Sequence, residues 1–367
     1  MNANPGAANE AERVMQICNA CRYCEGLCAT FQAMSTRRNF IITDLEYLAN
    51  LCHNCTACFH DCQFAPPHDF QINVPAILSD MRMQSYERHA WPEGLGRAFV
   101  SNGLWTTVVT TLSITLLLVL AFILINSNTF FGVHQGPGSF YEIIGHSLMI
   151  TMAGSTFGFS LLAMAIGFKR FWRLQVDGKV NPTHLIAATK DSVTLRYLDG
   201  GHGEGCSSID EQASNSRRFF HHCTMWGFLL CFASTCMATF YDYILGIQAP
   251  YPYLSLPVVL GTTGGLGLLV GPMGLIWNKI RSHPETTRHQ SIDYAFMLSL
   301  FTVSLTGLLL LAFRETAAMG LLLIIHLGCV LGFFLILPYS KFVHSFYRYI
   351  ALVKFASEQP TDDSPTP

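Results

Sequence analysis

Eight of the thirteen cysteines stand in two copies of one frame. Cys18, Cys21, Cys24 and Cys28 follow C-x2-C-x2-C-x3-C spacing, and Cys52, Cys55, Cys58 and Cys62 repeat it. Thiols so arranged serve three chemistries: disulfides, zinc or iron–sulfur clusters. Disulfides go with an oxidising compartment and a secretory leader. The stretch MNANPGAANEAERVMQ carries acids and does not read as such a leader. Zinc usually takes two C-x2-C pairs held apart by a longer loop. Three cysteines at successive x2 intervals instead wrap a tight turn around a cuboidal cluster, whose fourth thiolate comes from elsewhere.

The closing x3 cysteine is the spacing of two-cluster bacterial ferredoxins, in which the last cysteine of each frame ligates the other cluster. The expected sets are therefore Cys18, Cys21, Cys24 and Cys62 for one [4Fe-4S] centre, and Cys52, Cys55, Cys58 and Cys28 for the other. Ferredoxin frames usually continue with proline; here Ala29 and Gln63 follow. The segment between the frames places Ile41, Leu45, Leu48 and Leu51 at helical spacing, with Asp44 as the expected N-cap. These features predict an all-α ferredoxin-like module over 1–99. The remaining five cysteines show no frame and read as small hydrophobes.

Half of the chain is hydrophobic and 13% is charged, against roughly 25% charged in soluble domains. The apolar residues gather after residue 99 in six runs, near 104–125, 143–167, 222–245, 254–277, 292–313 and 319–338. Each is long enough to cross a bilayer, which takes about 20 residues. The expected organisation is the module (1–99), spans one and two (100–167), a cytosolic loop (168–221), spans three to six (222–355) and a polar tail (356–367). Lysine and arginine crowd the loops after spans two, four and six, while 126–142 and 246–253 have none. The positive-inside rule then puts both termini in the cytosol, where thiols stay reduced and available to iron. The net charge of −2 and the lack of a basic aromatic stripe give no sign of nucleic-acid binding.

His326 and His344 lie eighteen residues apart. On one continuous helix that is five turns, which would set two imidazoles on one face about 27 Å apart. That arrangement suits b-type haems stacked across a membrane. The expected inner haem ligands are His344 with His222, preferred over its neighbour His221 as one residue deeper in span three. The expected outer ligands are His326 with His146 near the start of span two. The sequence is thus read as holding one haem b, with a second possible. Span four (LGTTGGLGLLVGPMG) is glycine-dense, as closely packed membrane helices require. Asp242, Asp293 and Arg314, near span ends, read as groups reaching to water.

No flavin or nicotinamide fold and no nucleophile with its base is found, so the residues describe one-electron carriers in series. Several segments carry a resemblance. The two cysteine frames, FAPPHDFQINVP, DSVTLRYLDGGHGEGCS and RRFFHHCTMWGFLLCFASTCMAT are similar to the tricarballylate-utilisation protein B (CitB-like) family from about residue 14 to 355. The last apolar segment, from His326 to His344, resembles the final helix of the nitrate-reductase cytochrome b subunit, whose two histidines bind two haems. In that subunit the partner histidines lie ten residues apart on one helix; here His222 matches the first place and Phe232 occupies the second. The resemblance implies a partner flavoprotein dehydrogenase acting on tricarballylate, with electrons passed to quinone in the inner (cytoplasmic) membrane. A membrane redox sensor, or a tricarballylate or citrate transporter with structural clusters, are the competing expectations. A sensor would need an output domain, and SEQPTDDSPTP is too short and polar to be one.

Overall fold

The computed structural model describes residues 5–99, 101–176, 178, 180–198, 205–207, 213–286 and 289–359. Five helices build the N-terminal module: α1 (Pro5–Cys21), α2 (Ala29–Ser35), α3 (Ile42–Leu51), α4 (Ala57–His60) and α5 (Val74–His89). Helix α3 buries Leu45, Leu48 and Leu51 along one face, as their spacing requires. It begins at Ile42, so Asp44 lies inside its first turn and not at the N-cap. There the carboxylate meets the positive end of the helix dipole and accepts from Arg37 Nε at 2.9 Å. Helix α5 is capped by Asn73, whose side chain accepts the Ala76 N–H at 3.1 Å, with proline in its first turn.

Among the described residues six helices have the length and apolarity to cross a membrane: α6 (Asn102–Leu124), then, after the short helices α7 (Ser127–Phe130) and α8 (Ser139–Ile143), α9 (His146–Gln175). A connecting helix α10 (Pro182–Thr194) and a two-residue antiparallel pair, β1 (Cys206–Ser207) with β2 (Ala213–Ser214), lead to α11 (Ser216–Tyr243). The last three spans are α12 (Leu256–Ile280), α13 (Gln290–Phe313) and α14 (Met319–Ile336), the last running on to Tyr339. Large apolar side chains stand exposed along them, including Leu112, Leu116, Ile123 and Leu124 on α6. Such a surface is stable only against lipid. The protein is therefore mainly α-helical and multi-pass, as expected from its composition.

Helices α11 and α12 pack backbone to backbone. A Cβ on Gly227 would stand 2.9 Å from the Gly264 carbonyl oxygen, and one on Gly264 would stand 2.7 Å from that of Gly227. Without hydrophobic drive between spans, such close approach supplies the attraction.

The final segment differs from the expected single helix. α14 stops at Ile336, the chain passes through two 3-10 turns (Leu337–Tyr339 and Lys341–Val343), and α15 (His344–Glu358) starts anew. Pro338, which has no N–H to give the helix ladder, sits in the first of these turns. Ser340 Oγ then accepts the Phe342 N–H at 3.2 Å and fixes the bend. Five-turn periodicity therefore does not relate His326 to His344. Helix α15 also leaves the membrane part: Ala351, Leu352, Val353 and Phe355 are buried in one core with Val14, Met34 and Leu48. A second core, holding Tyr86, Phe99, Phe171, Tyr339 and Tyr347, joins the module to the inner ends of the spans.

Candidate metal centres

Each cysteine frame bends through a left-handed residue directly after its second cysteine, Arg22 (φ 56°) after Cys21 and Thr56 (φ 68°) after Cys55. Backbone of this kind is uncommon outside glycine, and here it turns successive thiols inward. Cys18, Cys21, Cys24 and Cys62 line one cavity with Tyr23, Phe31 and Phe64. Cys28, Cys52, Cys55 and Cys58 line a second, with Phe31, His53 and Tyr197. The structure thus groups the thiols across the two frames, each fourth cysteine crossing to the other frame's cavity. Phe31 borders both cavities, so they share a wall.

The chemistry of these donor sets fits iron–sulfur clusters. Each cavity is lined by four thiols, three from one frame and one from the other, the division that two-cluster ferredoxins use. Burial and the nearby Cys62, Cys24 and Cys21 push the Cys18 thiol up to about 12. Burial and Cys62, with Asp61, push Cys24 up to about 12, while burial and Cys52 push Cys28 up to about 11. Four thiols packed this way all become thiolates only with a metal cation among them.

The histidines fall into two groups, one at the end of the bundle next to the cysteine module, called inner, and one at the opposite end, called outer. At the inner end, the rings of His221 and His344 stand 6.0 Å apart, centroid to centroid, at 77°. Two imidazoles bonded to one metal at about 2 Å each have centroids about 6 Å apart as well. His344 Nδ1–H donates to the Lys341 carbonyl, which leaves Nε2 with its lone pair. Burial, Arg348 and His221 hold His344 well below the usual histidine range, in the neutral form a metal requires. Nδ1 of His221 is buried with no hydrogen-bond partner. His222, the expected ligand, is turned away toward Arg218 and the Thr194 carbonyl. Adjacent residues on a helix point about 100° apart, so of the two neighbours it is His221 whose ring faces His344.

At the outer end, His146 and Asp242 share a 2.7 Å hydrogen bond at His146 Nε2. Its ring packs on Tyr141 at 4.6 Å. His326 Nδ1 bonds Thr306 Oγ1 at 3.0 Å, and its ring lies so close to α13 that a Cβ on Gly307 would come within 2.9 Å of Cε1. No ring contact joins His146 to His326. The charges read as reaching to water are also paired: Asp293 takes Lys279 at 2.6 Å and Lys341 at 3.0 Å, and Arg314 donates to the Tyr251 carbonyl at 2.6 Å.

Sequence reasoning missed three arginines. Arg82, 4% exposed, donates to the carbonyls of Ala49 (2.7 Å) and Cys52 (2.6 Å). Arg217, at the start of α11, donates to those of Asn54 (2.5 Å) and His53 (3.3 Å). Arg348, one turn after His344, donates to Cys52 O, to Asn50 O at 3.3 Å, and to His53 Nδ1 at 3.1 Å. Bonds to backbone carbonyls leave no residue-type pattern; only the four-residue step from His344 to Arg348 hinted at a shared face.

A cysteine-cavity module docked on six membrane helices is the build of a membrane-bound iron–sulfur electron-transfer protein. Residues 11–88 match the model of the citrate utilization protein B Fer4-like domain, and residues 103–364 match that of citrate utilization protein B. Citrate utilization protein B of Escherichia coli is 47% identical over 353 residues, covering 95% of this chain and 92% of that protein. The chain belongs to the citrate utilization protein B family. No solved structure matches it significantly.

Proposed function

We propose that this protein reoxidises a partner flavoprotein dehydrogenase and delivers the electrons to quinone in the cytoplasmic membrane. The reading is supported above all by the two four-cysteine cavities that share the Phe31 wall. Cys18, Cys21, Cys24 and Cys62 would hold one [4Fe-4S] cluster, Cys52, Cys55, Cys58 and Cys28 a second, and His221 with His344 a haem b iron. These groups supply one-electron relay between a two-electron organic donor and the membrane.

The side chains around them bind, orient and keep out water. Tyr23 and the exposed Cys21 put the first cavity at the module's surface, within reach of a docking flavoprotein. Arg348 touches both the Cys52 carbonyl and His53, on the helix that begins with His344. That short connection joins the second cavity to the inner histidines. The donor's substrate is taken to be a tricarboxylate such as tricarballylate or citrate. Both termini would face the cytosol, on the side where lysine and arginine gather.

A reduced-minus-oxidised spectrum of the purified protein, with pyridine haemochrome and iron counted per chain, tests the assignment. About eight non-haem irons and about one haem b are expected. Fewer than about four irons, or no haem absorbance, would sink the relay.

A further inference from the structure

The two cysteine cavities sit in opposite electrostatic settings. Around the second, Arg82, Arg217 and Arg348 donate to the end of α3 and the loop that follows it, at the carbonyls of Ala49, Asn50, Cys52, His53 and Asn54 and at His53 Nδ1. Among the described residues none of the three has a carboxylate partner, so three fixed positive charges stand unneutralised beside four thiolates. Around the first, the charge nearest in effect is the Asp61 carboxylate, which bears on Cys24. Arg22, next to Cys21, turns to the carbonyls of Asn19 and Ser35 at the exposed surface. Arg13 and Arg37 are spent on Glu10, Asp44 and Glu358.

Resting on the cluster reading above, we propose that Arg82, Arg217 and Arg348 are positioning residues that set the Cys52-centred cluster at a more positive potential than the Cys18-centred one. Adding an electron increases the negative charge within four thiolates, and nearby fixed cations stabilise that added charge. Burial of the second cavity opposes this, since a drier site disfavours added charge. The arginines win because the same dry wall leaves their field almost unscreened. Electrons from a reduced flavin then arrive at the exposed centre by Cys21 and run downhill to the buried centre next to the spans. An electron leaving the first centre would be the one reaching the second, the flavin's protons being released at the donor, and the arginines would act throughout as fixed charges, because guanidinium stays protonated at any working pH.

The test is a redox titration of the purified full-length protein followed by electron paramagnetic resonance. The wild type shows two cluster steps. In Arg348→Gln the more positive step falls by about tenfold or more in its reduction equilibrium, about 59 mV for one electron, while the other holds. Arg348→Lys keeps the charge and keeps the step near its wild-type place. Arg217→Gln, on a different helix, repeats the shift and covers a failure of the first variant to fold. A drop in the more negative step instead, or no movement in either, overturns the inference. A wild type with fewer than two steps removes the cluster reading itself, and that outcome is visible before any variant is made.

Discussion

The two ends of the membrane bundle treat their histidines differently. At the inner end His221 and His344 face each other, one with an unpartnered buried nitrogen and the other with its remaining nitrogen freed by a backbone bond. At the outer end His146 is committed to Asp242, and His326 packs against α13 with its Nδ1 on Thr306. Imidazoles at membrane depth are thus not equivalent: a ligand pair needs mutual facing and an unsatisfied nitrogen, whereas a structural histidine already has its partner. Only the inner pair meets both conditions, which is why the proposed haem is placed there.

The sharpest way to break this contrast is to remove the proposed inner ligands. His344→Ala or His221→Ala should lower haem bound per chain roughly tenfold or more, as loss of a ligand exceeds loss of a supporting bond. His222→Ala should leave it in place; haemochrome spectra of the three variants decide. Retention of haem by His221→Ala with loss in His222→Ala would reverse the assignment. Next in size is packing at the inner end. Phe355→Ala opens the core that α15 shares with the module and should cost about 3 kcal/mol, read as a lower denaturant midpoint for bleaching of the cluster absorbance.

Outer-end changes should be smaller and leave the cofactors alone. His146→Ala loses a partly exposed pair with Asp242, worth about 1 kcal/mol or less, with haem content unchanged; a halving of haem would restore the outer site. Smallest is a pH effect at His134. The Thr129 carbonyl and Glu142 raise its pKa above the usual histidine value, with both ring nitrogens bonded as donors. Stability from the charged ring is therefore present below about pH 6.5 and is lost as pH rises through the raised folded value. Melting temperatures at about pH 6 and about pH 8 should differ slightly more for wild type than for Glu142→Gln.

The cysteine sets could be read from the chain because cluster chemistry dictates thiol spacing before any fold exists. The spans could be read because lipid demands length and apolarity, and little else. The inner histidine pair could not. Which of His221 and His222 faces His344 turns on how α11 is rotated about its axis, and a shift of one residue swings the ring to another face. The break at Pro338 was visible as a proline, but its consequence, a second helix heading into another core, depends on packing with residues more than 250 positions away. The arginine cage left still less trace, since it grips carbonyl groups that every residue possesses.

Helix α15 also imposes an order on how the protein comes into being. The module is translated before the spans, with its eight thiols in place, yet four residues of its core, Ala351, Leu352, Val353 and Phe355, are translated only after them. At about 5–20 residues per second, translation from Ala90 to His344 leaves that core open for roughly 13–50 s while six helices thread into the bilayer. During this interval the module's core lacks those four side chains. When the last turn of α15 docks, the finished membrane part closes the lid on the module that preceded it.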